Sequence, residues 1–294
     1  MHKPRILVVD DLPDVCATLS GLLSDEGYEV FSASTRVEAL RMLEEEHFHV
    51  AVLDVRLDES DEENRDGLLL MHEIREKSPD TAIIILTGYA DVRMVREALQ
   101  PGIDGSAPAF GFLEKCEVEQ LPKYVRRALE HRLASIRELI AQGENEHVEF
   151  KSSLRWDFDK RAVDKRPQEA VAATIAGMLN ADGGHLLIGV ADDGTILGIE
   201  HDLRALHKRN TDRFQLALVD IITNYLGPEH LQYIRTRFES IEGKQICIVS
   251  VQRSPKPVFF NKGDAHLFWV RAGNTTRSLD VKATLDYIQT HWGK

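Results

Sequence analysis

The chain has 294 residues, 43% of them hydrophobic, and a formal net charge of −12, enough for two ordinary domains with real cores. No apolar run approaches the roughly 18–20 residues that cross a bilayer. The opening Met1-His2-Lys3-Pro4-Arg5 leads straight into an apolar segment with no room for a secretory core. Cys16, Cys116 and Cys247 are scattered, odd in number and without metal-ligand spacing, so reduced, packed thiols and a cytoplasmic location without membrane contact are expected. Charge is unevenly divided: residues 1–133 hold 15 Lys and Arg against 27 Asp and Glu, whereas residues 134–294 hold 21 of each.

In the first half, apolar runs near residues 5–9, 29–33, 49–53, 82–86 and 110–113 read as strands buried on both faces. Between them, Leu12, Val15, Leu19, Leu22 and Leu23 share a helical face, as do Leu40 with Leu43 and, more loosely, Leu69 with Ile74. Alternating strands and helices with short connections predict a doubly wound five-stranded parallel sheet, an α/β fold. Polar residues stand where four of the runs stop: Asp10 and Asp11, Asp54, Thr87, and Lys115. Open α/β sheets place their chemistry at such strand ends. Carboxylates, a hydroxyl and an ammonium meeting there can hold a divalent metal and a phosphoryl group. Singly, each has a plainer reading, since an Asp after a strand is usually a helix cap and a Thr a turn residue.

Taken together, the four positions resemble the receiver domain of bacterial two-component response regulators, a flavodoxin-like fold, over roughly the first 130 residues; residues 1–133 are assigned to it. The resemblance implies that Asp54 is the phosphoacceptor and that Asp11, Asp54 and the backbone carbonyl of Arg56 hold Mg²⁺, with Asp10 completing the pocket through a bound water. It also implies that Lys115 pairs with the phosphoryl oxygens, that Thr87 donates to one of them, and that Phe112 moves with Thr87. Self-hydrolysis of the aspartyl phosphate would reset the switch, and a cognate histidine kinase or phosphotransfer protein is the implied partner. Three features depart from the family. The loop at residues 56–65 is about five residues longer than usual, and residues 100–108 lengthen the next connection by about six. Cys116 follows Lys115 where the family usually carries Pro, a departure that bears on the aim of Lys115.

From Leu121, apolar residues recur at Val125, Leu129, Leu133, Ile136 and Ile140, predicting one helix that runs to Gln142-Gly143 and serves as a connector over residues 121–143. A homodimer through the receiver or this helix is compatible with the pattern. Residues 144–294 form the output half. Residues 147–151 read as a strand with Glu149 and Lys151 on one face and Phe150 on the other. A helix near Pro167 carries Val171, Ile175, Met178 and Leu179 and stops at Asn180-Ala181-Asp182-Gly183-Gly184. Residues 185–190 read as a strand that turns at Asp192-Asp193-Gly194 into residues 195–199, a hairpin. A long helix near 203–226 and strands near 231–239 and 245–252 follow.

The markers Glu144, Glu149-Phe150-Lys151, Asn180, Gly183-Gly184, Asp193-Gly194, Arg271, Gly273 and Thr276 resemble the Schlafen AlbA_2 domain, an α+β module associated with nucleic acid. The resemblance implies a DNA- or RNA-related role. In the first reading, phosphorylation of the receiver controls nucleic-acid binding by this domain. Arg155, Lys160, Arg161, Lys165 and Arg166 cluster around Trp156 and Phe158, with Lys151 nearby, Lys208, Arg209 and Arg213 as a second group, and Arg271 and Arg277 as further candidate contacts. Interleaved Asp157, Asp159 and Asp164 also allow a solvated surface. In the second reading, the domain is a metal-dependent endoribonuclease acting on structured RNA such as tRNA. Glu144, Glu149 and Asp193 match the acidic triad of some Schlafen relatives and would hold Mg²⁺ or Mn²⁺, with Lys151 stabilising developing charge.

Overall fold

A computed structural model describes residues 3–58, 60–61, 63–88, 92–101, 107–206 and 210–293. Parts of both lengthened connections, and Lys208 and Arg209, lie outside the described residues. The chain divides into two compact units, residues 1–135 and 136–294.

The first unit alternates strand and helix: β1 (Arg5–Val9), α1 (Pro13–Asp25), β2 (Glu29–Ala33), α2 (Arg36–Glu45), β3 (Val50–Leu53), α3 (Asp66–Lys77), β4 (Ala82–Thr87), α4 (Val92–Leu99) and β5 (Gly111–Glu114). A 3-10 turn (Lys115–Gln120) leads into α5 (Leu121–Gln142). The sheet has the order β2-β1-β3-β4-β5, and every pairing is parallel. Alternate strand residues feed opposite layers. Leu7, Val9, Ala51, Leu53, Ile83 and Ile85 pack with Leu70, Met71 and Ile74 of α3 and Met94 of α4. Ile6, Val8, Val50, Val52, Ile84 and Leu86 pack with Leu19 and Leu23 of α1 and Leu121, Val125 and Ala128 of α5. This is the predicted doubly wound α/β fold, with α1 and α5 on one face and α2 to α4 on the other. Leu69, expected on the buried face of α3, is 50% exposed. Leu70, Met71 and Ile74 form the inner stripe one position further on.

The second unit joins β6 (Val148–Lys151), β7 (Trp156–Asp157), β8 (Ala162–Val163), α6 (Lys165–Leu179), β9 (Gly184–Ile188), α7 (Glu200–Arg204) and α8 (Thr211–Tyr225). A 3-10 turn (Pro228–Tyr233) precedes β10 (Ile234–Ile241), β11 (Lys244–Val251), β12 (Phe260–Lys262), β13 (Ala265–Ala272), β14 (Thr275–Leu279) and α9 (Val281–Trp292). A mixed sheet, β10-β11-β9-β6, pairs antiparallel except for β9 with β6, and β12-β13-β14 form an antiparallel sheet of their own. Helix α6 is the centre: Val171 to Leu179 are all buried. Its larger side chains join Phe214, Leu218 and Ile222 of α8 and Leu186, Ile188, Cys247 and Val249 of the mixed sheet. Each such side chain is worth about 1.5–3 kcal/mol on burial. Its small face lets β13 approach, since a Cβ on Gly177 would lie 2.9 Å from Thr276 Cγ2 and 3.3 Å from Arg271 N.

Two expected elements differ. Residues 195–199 do not continue as a strand. The turn forms, but Val190 and Ile196 make a single bridge, and Leu197 N and Gly198 N both donate to Gly189 O at 2.8 and 2.9 Å. Gly189 and Gly198 have φ of 97° and 81°, and this crossing diverts the chain before a ladder can extend. The long helix is two, because Asn210 caps α8 by accepting from Arg213 N at 3.1 Å.

Candidate functional site

At the C-terminal edge of the parallel sheet, β1 delivers Asp10, β3 delivers Asp54, β4 ends on Thr87, and the turn after β5 opens on Lys115. Asp10, Asp54 and Thr87 are 2%, 7% and 1% exposed. Lys115 Nζ lies 2.7 Å from Asp10 Oδ2 and 2.6 Å from Asp54 Oδ2. Asp11 joins them: one carboxylate oxygen each of Asp10, Asp11 and Asp54 lie within 4.8 Å of one another. Arg56 stands two residues beyond Asp54 in the lengthened loop. Phe112 pairs in register with Ile85 and packs partly buried against the α2 to α4 layer.

Local backbone sets these positions. Asp10 Oδ1 accepts from Leu12 N at 3.1 Å, and Asp54 Oδ1 from Val55 N at 2.6 Å. Gly67 opens α3 hard against the same strand end: a Cβ there would lie 1.7 Å from the Asp54 carbonyl oxygen. The turn holding Lys115 is fixed by a capping box between Glu114 and Glu117. Lys115 reaches both carboxylates with Cys116 behind it, so the capped turn supplies its aim. In the lengthened loop, Asp58 and Asp61 accept from the backbone of Ser60 and Glu63, and Asn64 Oδ1 accepts from Leu57 N at 2.9 Å.

Electrostatically the pocket is short of positive charge. Burial pushes the Asp10 carboxyl above its ordinary range, and its bonds to Lys115 and Leu12 do not fully offset this. Burial works against the Lys115 charge too, yet its hydrogen bonds to Asp10 and Asp54 outweigh it and raise the ammonium. Asp10 and Lys115 thus shift the same way: one ammonium serves two carboxylates, and Asp10 stays under-compensated. Three carboxylates against one ammonium, all oxygen donors, fit a hard divalent cation such as Mg²⁺. A carboxylate nucleophile flanked by such a cation and an ammonium is equipped to accept a phosphoryl group.

In the second unit the acidic positions behave differently. Glu149, 8% exposed, is ion-paired through one oxygen with Arg271 and through the other with Lys151. Arg271 also donates to Val148 O at 2.8 Å and Thr276 Oγ1 at 3.3 Å, and its side chain is 1% exposed. Arg271, expected as a nucleic-acid contact, is therefore a buried clamp between β13 and β6. Glu144 Oε1 accepts from Phe150 N at 2.9 Å. Asp193 is exposed and caps its own turn by accepting from Thr195 N at 2.9 Å, which holds its carboxyl below the usual range. Glu144, Glu149 and Asp193 do not form a three-carboxylate group of the kind seen at Asp10, Asp11 and Asp54.

Of the basic cluster, Lys160 pairs with Asp164, and Arg166 with Asp157 and Asp164. The Lys160 hydrogen bond leads the effects that pull the Asp164 carboxyl down to about 2. Arg161 sits in the β7–β8 turn at φ 52°, and Arg277 Nε donates to Thr275 Oγ1 at 3.2 Å on β14. Trp156 stacks on His201 at 5.3 Å, with Phe158 edge-on to the same ring. Two buried polar residues organise this unit: Asn180 is among the sequence markers, whereas Asp202 escapes sequence reasoning. Asp202, 1% exposed, accepts from Ser153 Oγ and from the backbone of Leu154, Arg155 and Trp156. Asn180, fully buried, exchanges hydrogen bonds with Val258 and donates to Trp269 O, all at 2.8 Å. Only its apolar environment distinguishes Asp202, and a single sequence does not carry it. Gly183 and Gly184 are packing glycines, since a Cβ on them would meet Val251 O at 2.4 Å and His147 O at 2.5 Å.

Residues 6–126 match the family model of the response regulator receiver domain, and residues 144–280 match that of Schlafen, AlbA_2. The chain is 36% identical over 115 residues to the transcriptional regulatory protein GlrR of Escherichia coli K12, a match covering 39% of this chain and 23% of that one. It is 31% identical over 204 residues to the regulatory protein AtoC of the same organism, covering 69% of this chain and 40% of that one. The chain therefore spans less than half the length of either relative. The crystal structure of the response regulator TrrA of Thermotoga maritima in complex with Mg²⁺-BeF is 30% identical, with a TM-score of 0.35, covering 42% of this chain and 98% of that one. Among the described residues no helix is long and apolar enough to cross a membrane. With the parallel sheet, its acidic edge and both family matches in place, the chain is a response regulator receiver domain joined to a Schlafen AlbA_2 domain.

Proposed function

We propose that the protein is the response regulator of a two-component phosphorelay, phosphorylated on Asp54 by a histidine kinase or phosphotransfer protein, and that the phosphorylated state controls nucleic-acid binding by the second unit. The observation that carries this reading is the convergence of Asp10, Asp11, Asp54 and Lys115 at one sheet edge. Asp10, Asp11, Asp54 and the Arg56 carbonyl would hold Mg²⁺, which when bound neutralises phosphoryl oxygens during transfer. Asp54 attacks the phosphorus in line, and the bond to the donor's leaving group breaks as the aspartyl phosphate forms. Lys115 turns from the carboxylates to the incoming phosphoryl oxygens, and Thr87, buried beside them, donates to one of those oxygens. The space that Thr87 vacates is then open to Phe112, the half-buried ring on the neighbouring strand.

For the output, binding is favoured over cleavage. Glu149, the central acid of the cleavage reading, already has both oxygens engaged by Arg271 and Lys151. Incubation with acetyl phosphate and Mg²⁺ should add one phosphoryl group, read by intact mass, and the addition should vanish in Asp54→Asn and in EDTA. Undiminished labelling of Asp54→Asn would overturn the assignment. Wild type and Glu149→Ala should then be incubated with tRNA, single-stranded RNA and duplex DNA in Mn²⁺ or EDTA. Salt-sensitive retention without cleavage supports the binding reading, while metal-dependent cleavage lost in Glu149→Ala would replace it with a ribonuclease.

A further inference from the structure

An open cleft of about 320 Å³ lies between α6 and α8 of the second unit. Its α8 wall is a single helical face, Ala217, Asp220, Ile221, Asn224 and Tyr225, spaced by three, one, three and one. Lys165 and Gln168, three apart at the start of α6, and Arg155 complete the lining. The feature that needs explaining is Arg155. Its backbone is pinned: N donates to Asp202 Oδ1 at 2.8 Å and to Ser153 Oγ at 3.1 Å, and its carbonyl accepts from Asp164 N at 2.9 Å. Its side chain lines the cleft, and its Nε is buried with no hydrogen-bond partner. Lys165 and Asp220 likewise stand outside every ion pair among the described residues.

A buried donor on a permanent cation is costly to leave unmet, so it calls for a partner, whether an ordered water or a ligand. Two cations on the lining answer a phosphate, for which the Arg fork is well shaped. Two side-chain amides and a carboxylate, beside a floor of Ala217, Ile221 and the Tyr225 ring, answer the polar edge and apolar face of a base. Phe260 stacks on Tyr225 at 4.9 Å and holds that ring in place. The volume lies at the lower end of ordinary small-ligand sites, a size for one nucleotide and too small for a duplex.

We propose that this cleft seats one nucleotide of a single-stranded nucleic acid, with Arg155 and Lys165 on its phosphate and Gln168, Asp220 and Asn224 on its base edge. The proposal rests on the nucleic-acid reading of the second unit and gives it a place. The test uses the full-length chain and fluorescein-labelled single-stranded RNA and DNA of about 12 nucleotides, within the usual span of single-strand sites. Matching duplexes and free 5′-mononucleotides are run alongside. Arg155→Gln and the exposed-face variant Asn224→Ala should each weaken single-strand binding about tenfold or more, with duplex binding and melting temperature unchanged. Wild-type strand binding in a folded Asn224→Ala and in Arg155→Gln or Arg155→Lys would overturn the cleft assignment and leave the nucleic-acid reading standing. Mononucleotide binding that needs Arg155, without any strand binding, would keep the cleft as a nucleotide site and overturn both the strand and the nucleic-acid reading. No binding of either would overturn both.

Discussion

Two buried carboxylates, Glu149 and Asp10, meet opposite fates. Glu149 has a cation for each oxygen, and one of them, Arg271, is itself 1% exposed and tied to Val148 O and Thr276. Asp10 shares one ammonium with Asp54 and sits above its ordinary pKa because burial outweighs that share. A satisfied ion pair holds strands together, whereas an under-compensated carboxylate pocket is prepared for an incoming cation. Removing one partner of a buried pair strands the other, at a cost of about 3–5 kcal/mol. Because Lys151 stays on Glu149, Arg271→Met should fall at the low end, about 3 kcal/mol, in urea unfolding. Arg271→Met combined with Glu149→Gln should recover part of that loss, the coupling expected of contacting residues. A surface arginine reading nucleic acid would instead leave the unfolding midpoint in place.

Among elements, the start of α3 shows how closely fold and site are tied. Alanine in place of a helical glycine normally stabilises by up to about 1 kcal/mol. At Gly67 the sign should reverse, because the new methyl would sit 1.7 Å from the Asp54 carbonyl oxygen. Overpacking of this kind costs about 1–3 kcal/mol. Gly67→Ala should lower the melting temperature and also slow phosphoryl incorporation, since relief requires moving the strand end that carries Asp54. A raised melting temperature with unchanged labelling would show that α3 shifts freely. The strand ends were legible in the sequence because strands covered on both faces are unbroken apolar runs, so the polar residue that stops each run marks the edge of the sheet. The break between α7 and α8 was not, because Leu203, Leu206 and Phe214 continue an apolar rhythm across Asn210, and only the capping bond to Arg213 N reveals the stop. Residues 195–199 misled for a related reason: Asp193-Gly194 does make its turn, but the approach of Gly198 to Gly189 is a tertiary contact. The outer face of α8 that lines the cleft was equally silent, since polar residues facing outward on a helix look like any solvated surface.

Across the whole molecule, charge and connectivity separate the two tasks. The net charge of −12 belongs entirely to residues 1–133, while residues 134–294 balance. Helix α5 spans Leu121–Gln142, and the division between the units falls within it, so the acidic unit is tethered to the output unit by a helix rather than a Gly- or Pro-rich linker. A net-acidic unit on the same chain would repel a polyanion that binds the second unit, whichever residues it finally touches. Within about one Debye length, roughly 10 Å at 0.1 M salt, that repulsion is felt, and at 1 M it is confined to about 3 Å. A fragment comprising residues 136–294, which carries its own core, should bind a single strand more tightly than the full chain at 0.1 M salt. The advantage should be several-fold and should close as salt approaches 1 M, where the remaining affinity of both reports contacts rather than long-range field. Anisotropy titrations of both proteins across that salt range decide it. Equal affinities at low salt would mean that the acidic unit lies outside the path of the strand, and control by phosphorylation would then have to pass through the conformation of α5 alone.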